Sequence, residues 1–289
     1  MRIRHAALLV LLVVLAGCGG FADGKTTREP FRVDDTATAT ATSTDAPDAR
    51  GPVVVSFDTG ENRIENLEIL AGQQERFLDG TSYRVTAVSR VVAQNGTVVR
   101  ELVRDGSYAR NRSRYVYTEE ATGTAVEETG ETTLFADGDR VFRRQSVGNE
   151  TRITVLRDDG GAPFSPTEMG VFRGEQASVV TLAFETMAVT DVDQLARAPS
   201  DADEPLFSVR SDRIANRTLL EGQVGGAVEN ATLEAIVTQR GFVRELRFEY
   251  VVVRDGERRT VTRLLVYRGV GTTTVERPGR ATPDSQTSG

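Results

Sequence analysis

Four residue types that carry much of protein chemistry are almost missing from this chain. Of 289 residues one is His, one is Cys and none is Trp, and Lys25 is the only Lys. The single His is His5 and the single Cys is Cys18, both at the amino terminus. With that stretch set aside, the remainder cannot assemble a Ser-His-Asp or Cys-His nucleophile, a His-ligated metal, a zinc cluster or a disulfide. Lys25 stands in a stretch without apolar periodicity, which disfavours a Schiff-base or Ser/Lys site. Carboxylates, Tyr and Arg remain for catalysis. The absence of Trp removes the usual platforms for sugar rings, so a two-carboxylate glycosidase has little to build on. A Gly-rich phosphate loop is also missing, and Gly222-Gln223-Val224-Gly225-Gly226 reads as a bulge or turn between strands.

What the amino terminus does contain is specific. Arg2 and Arg4 precede an unbroken apolar run, Ala6 to Ala16, too short to cross a bilayer as a helix. Leu15-Ala16-Gly17-Cys18 follows at once. This resembles the lipobox of bacterial and archaeal lipoproteins, in which the chain is cut before the Cys and the sulfur takes a lipid. The resemblance implies a signal peptide over residues 1–17 and a lipid on Cys18. It also implies a place on the extracytoplasmic face of the cell membrane, with the membrane itself as a partner. The alternatives are a plain signal peptide with an incidental Cys, or an uncleaved anchor. Arg2-Ile3-Arg4 is not a twin-arginine pair, which favours the general secretory route.

Cleavage before Cys18 removes 17 of the 289 residues and leaves 272; with Arg2 and Arg4 gone, the net charge moves from −7 to −9. That length suits one large domain or two small ones. The acidic balance argues against nucleic acid or anionic headgroups as the main partners. All but one of the 35 basic residues are Arg. An acidic surface with Arg in place of Lys resembles the proteins of salt-loving archaea, although a GC-rich genome produces the same bias.

Residues 18–52 have no periodic apolar pattern and contain the run Thr36 to Thr44 of alternating Thr and Ala ending in Ser43-Thr44. Such a segment reads as a flexible tether. A single domain is expected over residues 53–276, and 277–289 reads as a disordered tail. Helical spacing is present near 61–78 and 174–189. Between and after these segments the period falls to two. Turns at Asn95-Gly96, Asp105-Gly106, Asp137-Gly138 and Asp255-Gly256 separate β-rich runs, the strongest short-range hairpin signal. Further strands are expected at Leu206–Ala215, Gly222–Val224, Ala231–Gln239, Phe242–Arg254 and Arg258–Tyr267. The acidic stretch Asp191 to Glu204 reads as loop or a short helix. Val99-Arg100-Glu101-Leu102 recurs as Val243-Arg244-Glu245-Leu246, as two similar hairpins would.

Ser82-Tyr83-Arg84-Val85-Thr86, leading into strands punctuated by Asp-Gly and then Phe135-Ala136-Asp137-Gly138-Asp139-Arg140-Val141-Phe142-Arg143, is similar to the hairpins of the LolA and LppX/LprG-type lipoproteins. The chain also resembles haloarchaeal lipoproteins of unknown function. The LolA-like resemblance implies an α+β fold in which a strongly curved antiparallel sheet, a half-barrel, wraps two or more helices. It implies a concavity that takes an apolar ligand such as a lipid or isoprenoid. Candidate lining residues are Tyr83, Val85, Val103, Tyr115, Phe142, Phe248, Tyr250 and Leu264; the plain alternative is that they are core.

Five of the seven Asn open a sequon: Asn95, Asn111, Asn149, Asn216 and Asn230. On an exported chain these are candidates for N-glycosylation, although Asn at turns beside Thr-rich strands produces such triplets unaided. Paired acids recur at Asp137/Asp139, Asp158/Asp159, Asp191/Asp193 and Asp201/Asp203/Glu204. None matches a full calcium loop, and solvated turns explain them better. No metal and no cofactor is expected. Three readings stay open: a non-catalytic module binding an apolar ligand, a cell-surface interaction protein with a filled core, and, least supported, a carboxylate-dependent hydrolase.

Overall fold

The computed structural model describes residues 57–58, 63–64, 67–126, 129–147, 150–158, 160–164, 173–195 and 204–276. All belong to one compact unit, Gly51–Gly289. Cys18, the tether, Asn149 and the residues from 277 onward lie outside the described residues.

Two short strands, β1 (Phe57–Asp58) and β2 (Arg63–Ile64), pair antiparallel. The helix expected near 61–78 therefore begins later, as α1 (Leu67–Leu78), because Ile64 is spent pairing with Phe57. Gly80, at φ +66°, follows the end of α1 with nothing near where a Cβ would stand. Six strands follow: β3 (Tyr83–Ala93), β4 (Val98–Tyr108), β5 (Arg114–Thr122), β6 (Gly130–Asp137), β7 (Val141–Val147) and β8 (Glu150–Val155). The second helix, α2 (Arg173–Thr186), leads into β9 (Met187–Ala188) and β10 (Asp191–Leu195). Then come β11 (Leu206–Ser211), β12 (Arg213–Ile214), α3 (Arg217–Val224), β13 (Ala227–Thr238), β14 (Val243–Arg254) and β15 (Glu257–Arg268).

Eleven strands form one antiparallel sheet in the order β10-β11-β13-β14-β15-β3-β4-β5-β6-β7-β8. It is open, with β10 and β8 at its edges. An open sheet of that width twists and curls. Its two meanders are stitched at the centre, where β15 runs against β3 from Arg259↔Ala93 to Arg268↔Arg84. The mostly antiparallel architecture with few helices agrees with the sequence reading.

Three local expectations are corrected. Asp105-Gly106 is not a turn but lies inside β4. Gly106 is there because the ring of Tyr108 folds over it: a Cβ would meet Tyr108 Cε2 at 2.5 Å. The real turn spans Ala109 to Arg114, with Arg112 at φ +60°. Gly222–Val224 is not a strand but the end of α3, which Asn216 caps by accepting from the Leu219 N–H at 3.1 Å and Gly225 closes at φ +69°. Asp191–Leu195 is an edge strand rather than loop or helix, registered on β11.

Register assigns the faces. Residues directly opposite in antiparallel strands share a side. One side carries Tyr83, Val85, Leu102, Tyr108, Tyr115, Tyr117, Leu134, Leu233, Leu246, Phe248, Tyr250, Leu265 and Tyr267, and all are buried. This is the side the helices cover. Gln74 of α1 fixes the entry to β14 with two bonds, accepting from the Val243 N–H at 2.9 Å and donating to its C=O at 3.2 Å. Phe77 stacks on Phe242 at 4.3 Å between centroids. On α2, Gln176 Oε1 accepts the Tyr267 hydroxyl at 2.7 Å. Leu220 anchors α3 in the same core.

Candidate functional site

The helix-covered face has two zones. Toward the end where β3 begins and β4 finishes it is aromatic. Tyr83 sits against Tyr108 and Tyr267, and Tyr108 against Tyr115, with centroids 5.0 to 5.7 Å apart. The Arg112 guanidinium lies over the Tyr83 ring at 4.4 Å and donates to the Leu78 C=O, tying the turn after β4 to the end of α1. Among the described residues the Tyr108 and Tyr115 hydroxyls are buried without a partner. Burial pushes the Tyr108, Tyr115, Tyr117 and Tyr267 phenols well above their ordinary range, and the Glu119 carboxylate adds to the effect on Tyr117.

Farther along the same strands the face turns polar. Arg104 meets Glu119 at 2.9 Å, with both side chains largely shielded, and the Tyr117 hydroxyl donates to the same carboxylate oxygen at 2.6 Å. Arg263 donates to Ser89 Oγ at 2.6 Å. On β7, opposite Leu134, Arg143 is held below its ordinary pKa first by burial and then by Arg152.

Where the zones meet, α2 leaves a cleft against β3, β4 and β15. Leu102, Val179 and Leu265 line it beside Ser89, Arg104, Gln176 and Arg263. Its volume is about 30 Å³, room for about one water. Gln176 Nε2 is buried with no acceptor among the described residues.

Of the eight candidate lining residues, Tyr83, Val85, Tyr115, Phe248 and Tyr250 lie on the helix-covered face and are packed in its core. Val103 and Phe142 fall on the opposite face by register, Phe142 stacked on Phe135 at 6.3 Å. Leu264 also has outward register, yet it contributes to the lining of the cleft. Arg104, Glu119, Gln176 and Arg263 were not singled out from the sequence. Their only signal is charge at strand positions that alternate with apolar ones.

The sequon residues Asn95, Asn111, Asn216 and Asn230 are exposed. In three of them Oδ1 is already used: Asn95 accepts the Thr97 N–H, Asn111 both the N–H and hydroxyl of Ser113, and Asn216 the Leu219 N–H. Asp159, Asp201 and Asp203 lie outside the described residues; the described acids of these pairs serve turns and strands. Asp137 Oδ1 accepts the N–H groups of Asp139 and Arg140, Asp158 Oδ1 that of Ala162, and Asp191 faces Arg210 at 3.8 Å. Among the described residues no cluster of three or more carboxylate, His or Cys side chains is placed to hold a metal ion, and no helix is long and apolar enough to cross a membrane.

Among solved structures the chain is similar to lipoprotein LppX of Mycobacterium tuberculosis, at 11% identity over 73% of this chain and 98% of that one, with a TM-score of 0.31. It is also similar to a DUF1329 family protein from Desulfovibrio piger, at 8% identity over 73% and 93% of the two chains, with a TM-score of 0.24. A third is an outer membrane lipoprotein-sorting protein domain from Vibrio parahaemolyticus, at 7% identity over 70% and 94%, with a TM-score of 0.23. No family model and no curated protein matches the sequence. The layer arrangement of this chain stands on its own strand order.

Proposed function

We propose that the chain is an exported, non-catalytic binding module. It is held at the extracytoplasmic face of the membrane by a lipid on Cys18 and takes a lipid or other amphiphile between α2 and the sheet. The observation that supports this is the cleft, where the aliphatic side chains of Leu102, Val179 and Leu265 meet the donors of Arg104, Gln176 and Arg263. An apolar tail lies naturally against the first set and a polar or anionic head against the second. Pockets for such ligands run from about 300 to 1,000 Å³, so α2 has to lift for the ligand to enter. Glu119, a shielded carboxylate that touches the cleft's Arg104, is committed to Arg104 and Tyr117.

Native mass spectrometry after mild detergent extraction tests the reading. The expected result is a copurifying amphiphile whose occupancy falls at least tenfold in Val179→Trp, which fills the cleft. The small volume of the cleft favours a second reading, a cell-surface interaction module with a filled core. A wild-type protein that carries no ligand and does not saturably bind a fluorescent fatty acid sinks the first reading in favour of the second.

A further inference from the structure

The face of the sheet away from the helices pairs its arginines with acids. Arg90 meets Glu101 at 3.7 Å, Arg210 meets Asp191 at 3.8 Å, Arg247 meets Glu249 at 3.3 Å and Arg258 meets Glu229 at 2.7 Å. At one place two arginines of this face are set against each other. At the join between the two meanders Arg268 of β15 stands directly opposite Arg84 of β3, and Ser107 of β4 stands directly opposite Arg84 on the other side. Both arginines are exposed, and among the described residues neither side chain has an ion pair or a hydrogen bond. Like charges directly opposite each other in a sheet destabilise it. In a chain with 42 acidic against 35 basic residues, an acid at either position would be the ordinary solution.

The two arginines border a depression of about 340 Å³ whose other walls include Thr86, Asp105, Ser107 and Thr118. We infer that this depression is a binding site for a tetrahedral oxyanion, a phosphate or sulfate group, gripped by Arg84 and Arg268 with Ser107 as a third donor. Cross-strand neighbours stand about 5 Å apart. Rooted at that spacing, the two flexible side chains can bring their planar guanidinium forks to one anion, with several N–H groups in the arrangement that suits phosphate and sulfate. Asp105 is the carboxylate in the depression, and it is occupied by the Thr86 hydroxyl at 2.5 Å. The site is on the opposite side of the sheet from the cleft under α2 and does not depend on it.

The anion has two sources, a soluble phosphate or sulfate and an anionic lipid headgroup. Calorimetry of the full chain carrying Cys18→Ser, titrated with inorganic phosphate and with sulfate, reads the first. Cosedimentation with phosphatidylglycerol vesicles against phosphatidylcholine vesicles reads the second. Arg84→Gln and Arg268→Gln, each alone, are expected to weaken binding at least tenfold, and Arg247→Gln, on the same face, to leave it unchanged. Asp105→Asn removes the opposing charge and is expected to tighten binding several-fold. Loss in the phosphate titration supports the site with a soluble ligand. Loss only on phosphatidylglycerol vesicles supports it with a headgroup. Binding in neither arm, or an equal loss with Arg247→Gln, overturns it.

Discussion

Single residues decide several of the contacts that shape this fold. Gln74 spans 169 positions in sequence to satisfy both backbone groups of Val243. Gln74→Leu keeps the volume but leaves a buried N–H and C=O without partners. At about 1–3 kcal/mol per group, the expected loss is about 2–6 kcal/mol, read from the urea midpoint; a loss under about 0.5 kcal/mol would mean that water replaces the amide. Gly106 is the complementary case. Gly106→Ala drives a methyl into the Tyr108 ring and is expected to cost about 1–3 kcal/mol, whereas Gly138→Ala meets no neighbour and carries only the strain of its positive φ. Comparing the two melting curves separates crowding from backbone preference. Gly106 also shows where sequence reading fails. Asp-Gly signals a turn correctly at Asp137-Gly138 and at Asp255-Gly256, where the φ values of +53° and +78° require it. At Asp105-Gly106 the glycine answers instead to a neighbouring ring, which no local pattern reveals.

At the scale of elements, period-two alternation was enough to find most strands, because one face is buried and the other wet. It could not say which strands are neighbours. Arg263 and Ser89 lie 174 positions apart, and Arg84 faces Arg268 only because β15 pairs with β3. Both sites were illegible in the sequence for that reason. Asn216 was read only as a sequon, although its spacing to Gly225 marks a capped helix. The strands β4, β5 and β15 place four phenols in the core, and this sets an alkaline limit. Their folded pKa values are raised, so the stability they carry is intact below about pH 10 and is lost as the pH rises beyond it, when the unfolded chain releases its protons first. Each phenol steepens the loss by up to about 1.4 kcal/mol per pH unit. The expected observation is that phenolate absorbance from these four appears together with the loss of ellipticity. Gradual ionisation near pH 10 in a chain that stays folded would show that they are hydrated.

For the whole molecule, the proposed attachment through Cys18 and the fold can be tested separately. Cys18→Ser is expected to move the protein from the membrane fraction to the soluble one without changing its unfolding midpoint; full retention in the membrane would refute the lipid on Cys18. Net charge of −7 predicts a second behaviour. Screening of self-repulsion makes the folded state more stable as salt rises through the first few hundred millimolar, and a midpoint that falls with salt would count against it. The edges of the sheet are guarded in the same currency, with Asp191 and Asp193 on β10 and Glu150 and Arg152 on β8.

The central seam carries a consequence for how the protein comes into being. β15 is the last strand of the sheet to be made, yet it sits in the middle, between β14 and the first long strand, β3. Until residues 257–268 have emerged, β3 presents an unpaired edge and the two meanders share no backbone pairing. A chain made from its amino terminus therefore cannot complete this sheet until β15 has been made. Folding then closes like a zip whose last tooth lies at the centre of the cloth, and a nascent chain stopped before Glu257 has nothing to close on.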